Sequence, residues 1–357
     1  MDTRAVYYCN YSIGENAYEE VAEVCGVYGS RVLLIGGKKA LAAGLPRLMA
    51  QIQHSKLQIV EVLEFGHDCT YEQIDRMAAL AKEANVDMIF GMGGGKALDT
   101  AKGAGWRLGL PVFTFPTIAA TCAATTALSV VYREDGNFDS FYFHKRPAYH
   151  AFIDLSVIAD APVKYLQAGM GDTIGKYFES HFSARGDQLE HSSDLGVTIS
   201  NMCYKPLLTY GEQAMADCAA HRVSCALEQA VLANIVSTGL VSLMVLDEYN
   251  CAIAHSVYYG LVLLPGFEEK WLHGNVVSYG VLVQLAVDNN LEEAKQLKAF
   301  LQRLQIPTTL AEMEVAVDRS VLQPVLTETV NGPDMEHIPY PVTEDMIFEA
   351  IKTVETL

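Results

Sequence analysis

The first half of the chain alternates short aliphatic runs with stretches of helical spacing. RVLLI (31–35) is a β-branched and aliphatic run that stops at Gly36-Gly37, and KKALAAGLPRLMAQIQ behind it repeats its apolar positions at helical intervals. That pattern predicts strand, turn and helix. The same unit recurs in LQIVEVLEF (57–65) followed by a helix over 71–85, then in VDMIF (86–90) followed by a glycine-rich turn and another helix. PVFTFP (111–116) reads as the next strand, with VVYRE (130–134) and HAFIDL (150–155) as further candidates. Near-continuous apolar strands separated by helices predict a mostly parallel, doubly wound (Rossmann-like) sheet covered on both faces, which takes ligands at the carboxyl ends of its strands. Beyond Asp160-Ala-Pro162 the period changes, and from Val163 onward 3.6-residue spacing with few strand-like runs predicts an all-α second half. The expected division is an α/β domain over 1–160 and a helical domain over 161–357, with the boundary inside 156–164. No internal repeat or low-complexity tract interrupts it.

Composition narrows the classes. Half of the 357 residues are hydrophobic and 19 % are charged, which excludes disorder and permits a large core. The 25 Lys and Arg against 43 Asp and Glu give a net charge of −18, too acidic for a basic face that would meet nucleic acid or an anionic membrane. A small anion needs only one lysine in a cleft and stays possible. The eight cysteines are scattered without a C-x-x-C pair, and MDTRAVYYCNYS has no basic region followed by an apolar one, so a reduced, cytoplasmic protein is expected. The uncharged stretch Leu108–Tyr132 is broken by Pro111 and Pro116, and Ala230–Leu246 contains Asn234, Ser237, Thr238 and Ser242. Neither reads as a membrane span; the second is expected to be a buried core helix.

GMGGGKALDTAK (91–102) follows a buried strand and opens a helix, so three consecutive glycines let backbone N–H groups approach a ligand without a Cβ in the way. It is not the dinucleotide fingerprint, because Lys96 stands where the third glycine belongs. It is not a P-loop either, since Phe90 replaces the first glycine and Ala97 the Ser or Thr after the lysine. On spacing alone the turn either cradles a pyrophosphate or is a tight strand-to-helix connection. Spacing likewise leaves His255 and His273 open between ligands and core histidines, and Asp172 between a ligand and an N-cap.

GMGGGKALDTAK resembles the nucleotide-binding motif of the iron-containing alcohol dehydrogenase superfamily, in its glycerol-dehydrogenase-like branch. PTIAATCAATTALSVVY (116–132) is similar to the loop of that branch that runs along the nicotinamide half of the cofactor. AGMGD (168–172), AIAHSVYYG (252–260) and LHGNVVSYG (272–280) match in order and spacing, so the resemblance extends from about residue 20 to about residue 310. It implies the fold shared with dehydroquinate synthase, with an N-terminal nucleotide-binding domain, a C-terminal helical metal-binding domain and an active site in the cleft between them. It also implies a homo-oligomer, a small-molecule substrate and NAD(H) or NADP(H) as cofactor. Cofactor contacts are then expected at Gly37, Lys38, Lys39, Gly93, Gly94, Gly95, Lys96, Asp99, Thr117, Thr121, Thr126, Leu128 and Tyr132. Asp172, His255 and His273 take the positions of the branch's metal ligands, and a carboxylate with two imidazoles suits Zn²⁺, with Fe²⁺ as the alternative.

Three departures from the family's pattern shape the expected substrate. The Fe²⁺ enzymes place a further His four residues after the Asp, where this chain has Lys176. One helical turn from Asp172, that lysine is either a solvated or ion-paired residue or a partner for a substrate carboxylate. Glycerol dehydrogenases carry an Asp where this chain has Cys122, and a thiol cannot accept two strong hydrogen bonds from a polyol. Gly37 stands where NAD-selective members place an Asp against the ribose hydroxyls, and Lys38 or Lys39 could pair with a 2′-phosphate. The expected reaction is hydride transfer between NAD(P)(H) and a 2-oxo acid/2-hydroxy acid pair, with NADPH use at least comparable to that of NADH and glycerol/dihydroxyacetone as the alternative pair. A dehydroquinate synthase-like lyase would carry G-H-T-x-G-H-A around its metal histidines, whereas this chain has AHSVYYG (254–260). A non-catalytic nucleotide-binding paralogue is disfavoured by the complete Asp172, His255 and His273 set. Cys122 is expected to line the pocket, having no His paired with it in sequence, and His144 and Lys145 are expected to be loop residues without a role.

Overall fold

Alternate residues of the central strands face opposite helical layers, which is why these strands have no polar face. The computed structural model describes residues 6–357; the expectation that MDTRAVYYCNYS is not a leader falls partly on residues 1–5, which lie outside the described residues. The strands are β1 (Asn10–Gly14), β2 (Arg31–Gly36), β3 (Gln58–Glu64), β4 (Met88–Gly93), β5 (Val112–Pro116), β6 (Leu128–Tyr132), β7 (Phe138–Phe143) and β8 (His150–Asp154). Six of them form a parallel sheet in the order β1-β8-β5-β4-β2-β3, and β6 and β7 form a separate antiparallel pair. Val32, Leu34, Phe90, Phe113 and Phe115 face Leu41, Leu48 and Ile52 of the helix Lys38–Ile52. Leu33, Ile35, Ile89 and Val112 face Met77 and Ala81 of the helix Tyr71–Glu83 and Ala101 and Ala104 of the helix Gly95–Leu108. Each of these large side chains contributes about 1.5–3 kcal/mol by burial, so the layer order follows from which residues are apolar.

The helix after β2 leads to β3 on one side, and the helix after β4 leads to β5 on the other. The winding therefore reverses between β2 and β4, and Gly36-Gly37 and Gly93-Gly94 meet at the carboxyl edge, where a doubly wound sheet opens its crevice.

Two strands depart from the expected pattern. β1 is a half-exposed edge strand whose NYSIG has no apolar run; its register with β8, from Asn10↔His150 to Gly14↔Asp154, and the contact of 2.9 Å between Ser12 Oγ and His150 Nε2 hold it in place. The β6–β7 pair turns at Asp135-Gly136, where Gly136 has φ +86° and the Asp135 carboxylate accepts the Asn137 N–H at 3.0 Å. An Asp-Gly turn of this kind is what lets FDSFYF pair back on β6. His144 ends that hairpin as a packed residue, with Nε2 2.9 Å from Ser129 Oγ and its ring against Tyr142; burial and the nearby Lys102 push its imidazole down to about 3, so it stays neutral.

The chain divides into two compact units, one comprising the residues up to Pro162 together with Asp217–Val231, the other Val163–Ala216 with Leu232–Leu357. Asp217 anchors its segment by holding Arg222 and Ser224, and His221 Nδ1 lies 3.2 Å from the Ala159 carbonyl. The second unit is all helical among the described residues. Its central helix, His273–Val287, is buried at every position from Gly274 to Leu285 and packs against the helices Lys164–Ser183, Ile253–Leu261, Leu291–Arg303 and Glu344–Thr356. A helix surrounded in this way is apolar all round. One helical run among the described residues, Cys225–Met244, is long and apolar enough to cross a membrane; 61 % of its most apolar window is buried within the protein, as befits a core helix. None of the eight cysteines is disulfide-bonded.

Candidate metal centre

Three helices of the second unit each contribute one candidate ligand. Asp172 lies in the third turn of the Lys164–Ser183 helix, His255 in the first turn of Ile253–Leu261, and His273 begins His273–Val287. Small residues bring these helices together. The backbone at Gly274 lies against the Ala168 carbonyl, Gly171 lies against the Gly274 carbonyl, and Gly280 lies against Ala254, so a methyl group at any of the three would overlap main chain. The result is a cluster whose ligand atoms all lie within 4.8 Å of one another. Asp172 Oδ1 is 3.2 Å from His273 Nε2 and 3.7 Å from His255 Nε2. The Asp172 and His255 side chains are 13 % and 9 % exposed, whereas His273 is 34 % exposed, so the cluster has one open side. Tyr258 sets its ring edge-on to His273 at 4.3 Å.

Two imidazole nitrogens converging on one carboxylate fit a divalent transition-metal ion, and three protein ligands leave a coordination position for substrate. Burial alone would push the Asp172 carboxyl up, but His273, His255 and Lys176 together hold it below the usual carboxylate range, so it is ionised. Burial likewise disfavours the His255 imidazolium, yet Cys251 and Glu179 beside it hold its pKa well above the usual histidine value. Burial also pushes the Cys251 thiol up.

Glu179 escaped the sequence reading. It is fully buried, with Oε2 2.5 Å from His255 Nδ1 and Oε1 accepting the Ala252 and His255 N–H groups at 2.8 and 2.9 Å. A signal for it exists: Asp172, Lys176 and Glu179 fall at i, i+4 and i+7, a charged stripe on one face of an otherwise apolar helix. Lys176 is not solvated. It is 8 % exposed and donates to the Asn250 carbonyl at 2.7 Å and to Asn250 Oδ1 at 3.0 Å, while its charge still acts on Asp172.

In the first unit, Gly93 adopts φ +151°, a conformation open to glycine, and hands the chain to the helix Gly95–Leu108, whose N-cap is Gly94. Amides at that helix start face the carboxyl edge, beside Gly37, the N-cap of Lys38–Ile52. Lys38 and Lys39 are exposed on its first turn. Lys96 pairs with Asp68 and lies 4.6 Å over the Tyr132 ring. Thr117 donates its N–H to the Gly93 carbonyl at 3.1 Å, and Thr121 Oγ1 lies beside Gly95. Asp99, Thr126 and Leu128 are joined from within: the buried Lys102 ammonium is 2.9 Å from Asp99 Oδ1 and donates to Thr126 Oγ1 at 3.0 Å and to the Leu128 carbonyl at 2.5 Å. These three position the loop after β5 against the helix that follows the glycine turn. Cys122 is half-buried in a turn whose carbonyl takes both the N–H and the hydroxyl of Thr125.

Residues 9–154 match the family model for iron-containing alcohol dehydrogenase. A glycerol dehydrogenase of Escherichia coli is 30 % identical over 348 residues, 96 % of this chain and 93 % of that protein. Hydroxycarboxylate dehydrogenase A, also of Escherichia coli, is 34 % identical over 330 residues, 92 % and 90 % of the two chains. Among solved structures, the glycerol dehydrogenase of Schizosaccharomyces pombe matches with a TM-score of 0.89 at 25 % identity, covering 100 % of this chain and 91 % of that one.

Proposed function

The chain belongs to the iron-containing alcohol dehydrogenase family and is an NAD-dependent oxidoreductase, and from that premise we propose that it interconverts small 2-oxo acids and 2-hydroxy acids with Zn²⁺ at Asp172, His255 and His273. When bound, the cation polarises the C–O bond of the substrate and the nicotinamide gives or takes the hydride. The protein's own part is positional and electrostatic. The Gly93–Gly95 amides meet a pyrophosphate, the three ligands fix the cation, and the buried Lys176 adds a positive charge that favours a substrate carboxylate.

The observation that carries the acid substrate is the exchange of charge: the position of the polyol-binding carboxylate is the thiol Cys122, and a lysine buried to 8 % exposure stands one turn from Asp172. The resemblance to hydroxycarboxylate dehydrogenase A supports it. Glycerol and dihydroxyacetone are the second reading, favoured by the glycerol dehydrogenases among the relatives. A screen of purified enzyme with 2-oxobutanoate, 2-oxoglutarate, dihydroxyacetone and glyceraldehyde, each with Zn²⁺ or Fe²⁺, separates the two. Efficient dihydroxyacetone reduction with inert 2-oxo acids would end the acid proposal. Lys176→Met is expected to lower kcat/KM for 2-oxo acids about tenfold, equivalent to roughly 1.4 kcal/mol, and to leave dihydroxyacetone within about twofold. An equal loss on both substrates would assign Lys176 to the metal site instead.

The same proposal includes NADPH. With glycine at 37 no carboxylate repels a 2′-phosphate, and Lys38 and Lys39 are exposed on the adjacent first turn. NADPH is expected to match NADH in kcat/KM within about tenfold, and replacing both lysines by Ala should raise the KM for NADPH alone by about tenfold. A hundredfold preference for NADH in the wild type would contradict it.

A further inference from the structure

Glu179 has two oxygens with two different tasks. Oε1 takes the N–H groups of Ala252 and His255, at 2.8 and 2.9 Å, and so caps the Ile253–Leu261 helix, whose N-cap residue Ala252 has no side-chain acceptor of its own. Oε2 faces the imidazole, 2.5 Å from Nδ1. A carboxylate only accepts, so Nδ1 carries the hydrogen, and in the neutral ring that a metal ligand must be the lone pair is left on Nε2, which faces Asp172 at 3.7 Å. With three donors on it and no exposure to water, the carboxylate cannot rotate away from the ring without leaving an uncompensated charge inside the protein. Gly175 lets the Val277 side chain pack close on the Lys164–Ser183 helix, since a methyl there would approach Val277 Cγ1 to 2.6 Å.

We propose that Glu179 is a positioning residue for the metal centre: it fixes His255 in the tautomer that presents Nε2 to the cation, separately from its capping of the helix. This rests on the metal reading of Asp172, His255 and His273. It predicts a specific failure for Glu179→Gln. The amide oxygen must stay at the capping position to serve the two N–H groups, which turns the NH₂ toward Nδ1. That nitrogen must then accept, the ring hydrogen moves to Nε2, and the lone pair faces away from Asp172.

The test uses the metal alone. Apo wild type, Glu179→Gln and His255→Ala are titrated with Zn²⁺ against a chromophoric chelator and with Co²⁺ by visible absorption. Wild type is expected to bind one Zn²⁺ and His255→Ala to lose the site; a wild type that binds none overturns the metal reading itself. Glu179→Gln is expected to keep its cap and melt within about 5 °C of wild type as the apoprotein, while Zn²⁺ affinity falls about 10–100-fold and the Co²⁺ bands change. Adding Glu179→Gln to His255→Ala should cost no further affinity, because both act through the same ligand. Unchanged Zn²⁺ affinity with an unchanged Co²⁺ spectrum would leave Glu179 as a helix cap alone and overturn the proposal. If Glu179→Gln does not fold, histidine-selective ¹⁵N NMR of the Zn²⁺-loaded wild type decides: a protonated Nδ1 on His255 supports the assignment, and a protonated Nε2 defeats it.

Discussion

Purified His255→Ala protein is expected to hold less than about a tenth of an equivalent of metal after dialysis, because a site of three ligands that loses one has too few donors to retain a divalent ion. Turnover should fall with it by at least about a thousandfold, since Lewis-acid polarisation of a C–O bond is worth several kcal/mol and each 1.36 kcal/mol is a factor of ten in rate. The apoprotein should melt below wild type, because the ring lies buried between Asp172, Glu179 and His273 and its loss leaves the Glu179 carboxylate without its imidazole partner, so circular dichroism first establishes that the preparation is folded. Elemental analysis and an NAD(P)H oxidation assay on the same preparation check both halves. A variant that keeps a full equivalent of metal, or one that loses metal and keeps its rate, would refute the assignment.

The largest structural effect is expected from Gly274→Ala. The added methyl would overlap the Ala168 carbonyl and crowd the Asp172 N–H, and neither is a flexible side chain that can turn aside. Overpacking costs about 1–3 kcal/mol and here displaces a backbone, so about 3 kcal/mol or more is expected. For a unit of this size that lowers Tm by roughly 6–12 °C. The same displacement moves His273, the neighbouring residue, away from Asp172, so Zn²⁺ affinity should fall together with stability. Gly211→Ala provides the contrast: its methyl would meet only side chains of Leu304, Met170 and Phe300 at 3.4–3.5 Å, and in the helix Asn201–Ala219 the change is expected to be neutral or to add up to about 1 kcal/mol. Thermal melts of the apoproteins test the pair. If Gly274→Ala melts within about 2 °C of wild type, the close crossing of the two helices is not what holds the ligands together.

Much of the first unit is written in its hydrophobic pattern. RVLLI and VDMIF have no polar alternative, so they become central strands with a helical layer on each face, and the glycines that end them fall at the carboxyl edge where the winding reverses. β1 and β7 are less legible for a physical reason. NYSIG is held by its register with β8 and not by burial of its own side chains, and FDSFYF depends on the turn at Gly136. The 3.6-residue period after Val163 forecast helices but not their neighbours, because a helix such as His273–Val287, apolar on every side, states no preferred direction of packing.

The site shows the same division. The glycine turn is local, and its chemistry was visible as a motif. Asp172, His255 and His273, separated by 83 and 18 residues, entered through a resemblance, and only the packing of their three helices shows their ligand atoms within 4.8 Å of one another. Sequence by itself determined the α/β and helical halves, the acidic surface, the glycine turn and the family. Tertiary structure decided which charges act on which: Lys176 went to Asn250, Lys102 to Asp99, and Glu179 to the back of His255. The reason is that burial removes water as a partner, so each buried charge must find its complement across the fold, on helices and strands that distance along the chain does not identify.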